Sequence, residues 1–128
     1  MGILDRFFKE PNEEPLKTEW KTLDRIDQLD LIKEQSKNKP VAIFKHSIRC
    51  GISSMVKKQL EREWDISDED MDFYYLDLIT YRPISNQIAE DFGVVHQSPQ
   101  LVVIKDGWAV YNDSHYSISV DQVKSLIK

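Results

Sequence analysis

Cysteine is almost absent from this sequence of 128 residues, and Cys50 is the only one. A single thiol cannot form an internal disulfide, which excludes the disulfide framework that holds small secreted domains together. The opening residues also lack an apolar run long enough for a signal peptide or a membrane-spanning helix. We therefore expect a protein of the reducing cytoplasm that does not act at a membrane.

An excess of positive charge is also lacking. The chain has 17 Lys and Arg residues among 22 Asp and Glu residues, which gives a net charge of −5. Proteins that bind a phosphate backbone usually concentrate basic residues on one face, so we expect no nucleic-acid partner. The length favours a single domain with one hydrophobic core, and we expect it to be a monomer.

The first 18 residues differ in pattern from the rest of the chain. Ile3, Leu4, Phe7 and Phe8 recur at helical spacing, and prolines follow among acidic residues. Acidic and basic side chains balance in this stretch, so it offers no basic face to anionic lipid. We expect a short helix that docks on the chain's own domain, then a linker, with the domain over residues 19–128.

The remainder of the chain alternates between strand and helix patterns. The predicted order is β-α-β-α-β-α-β-β-α. Helical crossovers link the first three strands, which can therefore run parallel, and Asp106-Gly107 is a strong hairpin signal between the last two. Gly93 suits a left-handed end to the third helix. The sequence thus predicts an α/β fold with a mixed sheet of four to five strands flanked by helices.

The cysteine is placed where a thiol can be reactive. Cys50 follows a buried strand predicted over residues 41–46 and opens a helix predicted over residues 50–64. A helix N-terminus offers unpaired N–H groups and the positive end of the macrodipole, and both favour a thiolate. Arg49 adds a positive charge if its side chain turns toward the sulfur. A lone cysteine can also be a small buried hydrophobe, but a strand-to-helix turn is exposed, so we interpret Cys50 as a nucleophile.

Ser53 stands one helical turn after Cys50, where a Cys-x-x-Cys protein has its second thiol. A hydroxyl at that position can donate a hydrogen bond to the Cys50 thiolate, but it cannot expel a bound partner. The available chemistry is therefore monothiol. It consists of attack on a disulfide, a mixed-disulfide intermediate, and release by a thiol from outside the chain.

A second cue lies in the stretch "VVHQSPQLVV". Pro99 immediately precedes an apolar strand, and we expect a cis peptide bond between Ser98 and Pro99. Proline interrupts the strand ladder, which leaves the backbone of Ser98 free to pair with an extended substrate. His96 lies in the same loop, and we expect it to contact the substrate.

Taken together, these features resemble the thioredoxin fold over roughly residues 20–128. More narrowly, "IFKHSIRCGISS" and "HQSPQLVVIKDGWAVYNDSHYSI" resemble the YtxJ-type monothiol bacilliredoxin family. The resemblance implies a cytoplasmic thiol–disulfide exchange protein that takes bacillithiol off modified protein thiols. It implies that Cys50 is the nucleophile, Ser53 occupies the resolving position, and Pro99 is the cis-proline. S-thiolated proteins would be the clients, and a low-molecular-weight thiol would be the co-substrate rather than a resident cofactor.

Gly51 departs from that family's usual motif, which has proline after the cysteine. Gly51 and Ile52, which we expect on the substrate side, make the motif similar to the Cys-Gly-Phe-Ser of monothiol glutaredoxins. The first alternative is therefore a glutaredoxin-like carrier of glutathione or of an iron–sulfur cluster. Against it, glutaredoxins normally show a Gly-Gly pair after the cis-proline, and none of the four glycines here are adjacent.

A second alternative is a non-catalytic thioredoxin-fold adaptor whose cysteine is incidental or merely a target of modification, since no resolving thiol exists. His46, His96 and His115 show no paired ligand spacing, so we expect no metal, and we expect a structural role for His46 on its buried strand. Asp77, inside an apolar strand, is either a proton acceptor behind the cysteine or a hydrogen-bonded core acid.

Overall fold

The computed structural model describes residues 20–127, so the predicted N-terminal helix and linker lie outside the described residues. The order of elements is the predicted one, with a short 3-10 turn added before the last helix. The elements are β1 Trp20–Thr22, α1 Gln28–Gln35, β2 Val41–His46, α2 Gly51–Glu63, β3 Asp72–Asp77, α3 Arg82–Phe92, β4 Gln100–Lys105, β5 Trp108–Ser114, the 3-10 turn His115–Ser117 and α4 Val120–Lys124.

The five strands form one mixed sheet in the order β1-β3-β2-β4-β5. Strands β1 and β2 run parallel to β3, whereas β4 runs antiparallel to β2 and to β5. Lys45 pairs with Gln100, and His46 pairs with Asp77. The ends of β2 and β3 and the start of β4 therefore meet at one edge of the sheet, which we call the site edge.

Helices cover both faces of the sheet, as the apolar strand pattern predicts. All six residues of β2 are buried, and its side chains alternate between two core clusters. Ala42 and Phe44 pack toward α2 and α4, whereas Val41 and Ile43 pack toward α1 and α3. The same alternation sends Lys45 toward the α1/α3 face and His46 toward the α2/α4 face.

Two turns confirm their sequence signals. Gly93 ends α3 in the left-handed region with φ of 64°, where glycine has no steric cost. Asp106 and Gly107 connect β4 to β5 with φ of 53° and 81°, the pair of positive values that a two-residue hairpin of the primed type requires. None of the helices within residues 20–127 is long and apolar enough to cross a bilayer.

Candidate functional site

Cys50 is the N-cap of α2, so the helix begins one residue later than predicted. Its backbone N–H donates to the carbonyl of Ser47 at 3.2 Å, and its own carbonyl accepts from the N–H of Ser54 at 3.1 Å. The residue is half-buried, and no acidic side chain stands in the first turn of the helix. The positive end of the helix macrodipole is therefore not neutralised from within α2.

Exposed apolar side chains stand before and after Cys50 in the chain. Ile48, Ile52 and Met55 are exposed, at 60%, 42% and 60% of their surfaces. The hydroxyl of Tyr116, which is also exposed, contacts the sulfur of Met55 at 3.8 Å. We call these four residues the apolar rim. Exposed apolar side chains grouped near a reactive residue are typical of a place where another molecule docks.

Gly51 and Arg49 flank the cysteine on either side. A Cβ atom built on Gly51 would meet nothing within 4 Å, so the turn does not require glycine there. Arg49 is exposed, and none of the ion pairs among residues 20–127 involves it. The approach of its guanidinium to the sulfur of Cys50 stays a prediction.

The structure corrects the expected contact of Ser53. Its side chain is fully buried, and its Oγ lies 2.7 Å from Nδ1 of His46 and 3.1 Å from the backbone N of Ser47. The hydroxyl accepts from the Ser47 N–H, and its bond with His46 runs in the direction that the tautomer of the ring sets. Among residues 20–127 no hydrogen bond joins Ser53 to the sulfur of Cys50, because the hydroxyl lies against His46 and Ser47 instead.

His46 is thus held on the α2/α4 face by Ser53. When the neutral ring carries its proton on Nε2, Nδ1 accepts from the Ser53 hydroxyl. The ring stacks on Phe44 at 5.9 Å between centroids and packs against Tyr75 at 5.6 Å. Burial, and then the charge of Lys57, lower the pKa of His46, which favours this neutral form. His46, on the sheet, therefore holds the first turn of α2 through Ser53.

Sequence reasoning missed Lys45, which is fully buried on the opposite face. Its Nζ donates to the backbone carbonyl of Ser85 at 3.2 Å and lies 3.4 Å from Nδ1 of His96. No carboxylate within residues 20–127 pairs with it, and burial, then the charge of Arg82, lower the pKa of Lys45 to about 8. The available signal was a lysine inside a strand whose neighbours predict burial on both faces.

His96 connects this lysine to the loop that leads to β4. Its Nδ1 also lies 3.1 Å from the hydroxyl of Ser85, and the ring is half-buried. Burial, and then the charges of Lys45 and Arg82, lower the pKa of His96. With Lys45 protonated, Nδ1 is the acceptor, so the proton of the neutral ring is again on Nε2. The contact of His96 with a substrate stays a prediction.

The bond between Ser98 and Pro99 is cis, as predicted. Because Gln100 pairs with Lys45, Pro99 lies beside the end of β2, on the site edge from which the turn to Cys50 departs. The hydroxyl of Ser98 and Oε1 of Gln100 are buried without a hydrogen-bond partner. The structure therefore brings the proline loop and the cysteine turn to the same edge, while a contact between Pro99 and the sulfur stays a prediction.

Asp77 is the half-buried last residue of β3, and its carboxylate holds the turn that follows. Its carboxylate accepts from the N–H of Ile79 at 3.1 Å and from the hydroxyl of Thr80 at 2.8 Å. Of the two predicted roles, the geometry supports the structural one, since these bonds close the turn. Within residues 20–127 no group of three or more His, Cys, Asp or Glu side chains is arranged to hold a metal ion.

Comparison with known proteins agrees with this geometry. The family model described as monothiol bacilliredoxin BrxC matches residues 21–123. A solved structure described as a candidate oxidoreductase with a thioredoxin fold is 33% identical, with a TM-score of 0.71, over 84% of this chain and 93% of that chain.

Thioredoxins share the fold at lower identity. The thioredoxin Mala s 13 of Malassezia sympodialis is 18% identical with a TM-score of 0.66, over 92% of this chain and 96% of that chain. Thioredoxin f of spinach chloroplast, in its long form, is 16% identical with a TM-score of 0.62, over 88% of this chain and 85% of that chain. At this identity the likeness supports the thioredoxin fold and nothing finer.

Proposed function

Because the chain belongs to the monothiol bacilliredoxin family, we propose that it removes bacillithiol from modified protein cysteines through a mixed disulfide on Cys50. The thiolate of Cys50 attacks the bacillithiol sulfur of the client's mixed disulfide. That S–S bond breaks, a new one forms to Cys50, and the client cysteine leaves as a thiolate with the electron pair. The client is thereby reduced, and Cys50 is oxidised.

One observation supports this proposal above the others: the only thiol lies at a helix N-terminus, and the residue one turn on cannot displace an adduct. Ser53 has no sulfur with which to attack an adduct, and its hydroxyl is buried against His46 and Ser47. The adduct must therefore persist until a second thiol from outside removes it. A second bacillithiol molecule, or a reductase, would complete the cycle.

The apolar rim supports a protein as the other reactant. Ile48, Ile52, Met55 and Tyr116 expose apolar surface around the cysteine, and a small polar thiol alone has no use for it. This surface fits a client polypeptide that presents its modified cysteine to Cys50. We expect the backbone of Ser98, at the same edge of the sheet, to pair with that polypeptide.

The test is direct transfer. The reduced protein is mixed with a peptide whose single cysteine carries bacillithiol and, separately, with the same peptide carrying glutathione. Intact-mass spectrometry then follows Cys50. We expect the bacillithiol adduct to form on Cys50 while the peptide is reduced, and to persist until free thiol is added. Cys50→Ser should abolish transfer with an unchanged circular dichroism spectrum, since sulfur-to-oxygen is a small change.

Ser53→Cys is the matched gain-of-function variant. It places a thiol one turn from Cys50, where it can expel bacillithiol and close an internal disulfide, so the adduct should become short-lived. If wild-type Cys50 accepts neither thiol, and alkylation by iodoacetamide is as slow as for a buried thiol, the exchange proposal is wrong and the adaptor alternative replaces it. Transfer from the glutathione peptide alone would instead favour the glutaredoxin-like alternative.

A further inference from the structure

Charge is distributed unevenly along this acidic chain. Residues 35–60 contain six Lys and Arg residues and no Asp or Glu, so the remaining 102 residues carry 11 basic against 22 acidic side chains. This segment comprises β2, the cysteine turn and most of α2. The reactive sulfur therefore lies in the one long stretch of positive charge, and this placement raises the local concentration of anions.

Several of these cations have no carboxylate partner. Lys57 is paired with Glu61 at 3.0 Å, and its Nζ lies 5.8 Å from the centre of the Tyr75 ring. Lys58 and Arg49 are both exposed, and neither takes part in an ion pair within the part of the chain that the structure describes. Arg62, one turn further along α2, is likewise exposed and in no ion pair within residues 20–127, but Lys58, and not Arg62, lines the groove described next.

A groove of about 350 Å³ leads from the cysteine turn to that cation. Its lining residues are His46, Ile48, Ser54, Lys57, Lys58, Glu61 and Tyr75. Ile48 belongs to the turn before Cys50, and the N–H of Ser54 donates to the carbonyl of Cys50 at 3.1 Å. Cys50 itself does not line the groove, but these two neighbours do, so the groove lies beside the cysteine turn. Its size falls in the range of small-ligand sites.

His46 supplies a neutral donor to the same groove. Its Nδ1 is bonded to Ser53, so Nε2 is the ring nitrogen left for a ligand, and it is a donor in the Nε2–H tautomer. A cation and an uncharged N–H donor along one groove beside the cysteine turn fit a carboxylate that is attached to a thiol.

We propose that this groove binds the carboxylate of an anionic low-molecular-weight thiol while its sulfur is exchanged at Cys50, with Lys58 as the main cation. The proposal rests on the proposed function and names the chemical class of its co-substrate. In the step itself, the Cys50 thiolate attacks a disulfide sulfur that bears the carboxylate-containing group. The old S–S bond breaks, and the other sulfur leaves as a thiolate.

Two disulfide probes with chromophoric leaving groups test the proposal. One is the dianion 5,5′-dithiobis(2-nitrobenzoate), and the other is the neutral 2,2′-dithiodipyridine. The full chain is reduced, and the rate constant of Cys50 with each probe is measured by stopped-flow absorbance at low salt. The quantity compared between proteins is the ratio of the anionic rate constant to the neutral one.

We expect Lys58→Gln to lower this ratio about two- to fivefold, which is the effect of losing one solvent-exposed charge interaction. Lys105→Gln is the matched control, because it removes an equal charge at the far end of β4 and should leave the ratio unchanged. Glu61→Gln should raise the ratio, since it removes the groove's own anion and frees Lys57. Adding 0.5 M NaCl should lower the wild-type ratio, because salt screens exposed charges.

An equal effect of Lys58→Gln and Lys105→Gln would overturn the proposal, since only net charge would then matter. This failure is distinct from failure of the proposed function. A protein that takes bacillithiol from a peptide but shows no groove-dependent charge preference loses only this inference. A protein that prefers the anionic probe but accepts no thiol from a peptide retains the groove and loses the transfer activity.

Discussion

Lys45 and His46 are neighbours in β2, yet they support the two sides of the site edge in different ways. His46 faces α2 and is bonded through Nδ1 to a buried hydroxyl, Ser53, whose other partner is a backbone N–H. Lys45 faces α3 and is bonded to a backbone carbonyl and to His96, with no carboxylate in the part of the chain that the structure describes.

The two sides differ in the charge of the buried groups and in whether each buried polar group has a hydrogen-bond partner. On the His46 side the buried Ser53 hydroxyl has two neutral partners, the His46 ring and the Ser47 N–H. These bonds hold the start of α2, and alkaline pH does not change their charge. On the Lys45 side the hydrogen-bond partners of a buried cation are all neutral. The Ser98 hydroxyl and Oε1 of Gln100, in the loop and strand beside it, have no hydrogen-bond partner. We call the hydrogen-bonded pair His46–Ser53, at the start of α2, the neutral support. We call Lys45 with its partners, next to the proline loop, the charged support, because its contribution to stability depends on pH.

Ser53→Ala should have the largest effect on stability, because it breaks the neutral support. The change leaves Nδ1 of His46 and the N–H of Ser47 without their partner, and each unsatisfied buried group costs about 1–3 kcal/mol. We expect a loss of about 2–4 kcal/mol in the free energy of unfolding, measured by urea denaturation. Ser54→Ala, one residue on, is the control and should stay within about 0.5 kcal/mol of wild type. Equal values for the two variants would contradict this account.

The charged support should respond to alkaline pH. The pKa of Lys45 is lowered to about 8 by burial, whereas the unfolded chain keeps this lysine protonated up to about 10.5. Between these values the unfolded state binds more protons, so stability rises with pH. Measured in a Cys50→Ser background between pH 8 and 9, where tyrosine is still largely protonated, the gain should be on the order of 1 kcal/mol.

Lys45→Met should abolish this rise, because it removes the buried charge at nearly constant volume. Lys105→Met, at the other end of the sheet, should retain it. A wild-type free energy of unfolding that is flat across this pH range, or a Lys45→Met variant that keeps the slope, would show that Lys45 is not a buried cation.

The smallest expected effect is spectroscopic. At pH 7.5, long-range ¹H–¹⁵N spectra should show the rings of both His46 and His96 as neutral. We expect the proton on Nε2 in each, with Nδ1 of His96 accepting from Lys45 and Nδ1 of His46 accepting from Ser53. Lys45→Met should change the nitrogen shifts of His96 and leave those of His46 in place. Changes of equal size in both rings would mean that the two supports are coupled across the sheet rather than independent.

Much of the fold could be predicted because its signals are local. The run "VAIFKH" predicted a strand buried on both faces, Asp106-Gly107 predicted the hairpin, and Gly93 predicted the end of α3. The cis bond at Pro99 was also predicted, from the position of a proline before an apolar strand. Each of these depends on a few neighbouring residues whose backbone preferences are strong.

The partners of the site residues could not be predicted in the same way. Ser53 lies one turn from Cys50 in the chain, which made the sulfur its expected partner, yet the fold places His46 directly beneath it. Lys45 looked like an ordinary strand residue because His96 and the carbonyl of Ser85 are 51 and 40 positions away. Side-chain hydrogen bonds between distant segments depend on the packing of helices against the sheet, which no local pattern specifies.

The sequence by itself determined that a lone thiol stands at a strand-to-helix turn in an α/β fold with a mixed sheet, because strand periodicity, helix periodicity and turn residues are properties of the adjacent chain. Only the tertiary structure decided what lies around that thiol. Because α2 and α3 pack on opposite faces of β2, Ser53 is the hydrogen-bond partner of His46, and His96 is the partner of Lys45. The same packing leaves a groove between the cysteine turn and Lys58. The physical reason is that a single buried proton donor or charge takes the partner that folding brings within hydrogen-bond distance, whatever its distance in the chain.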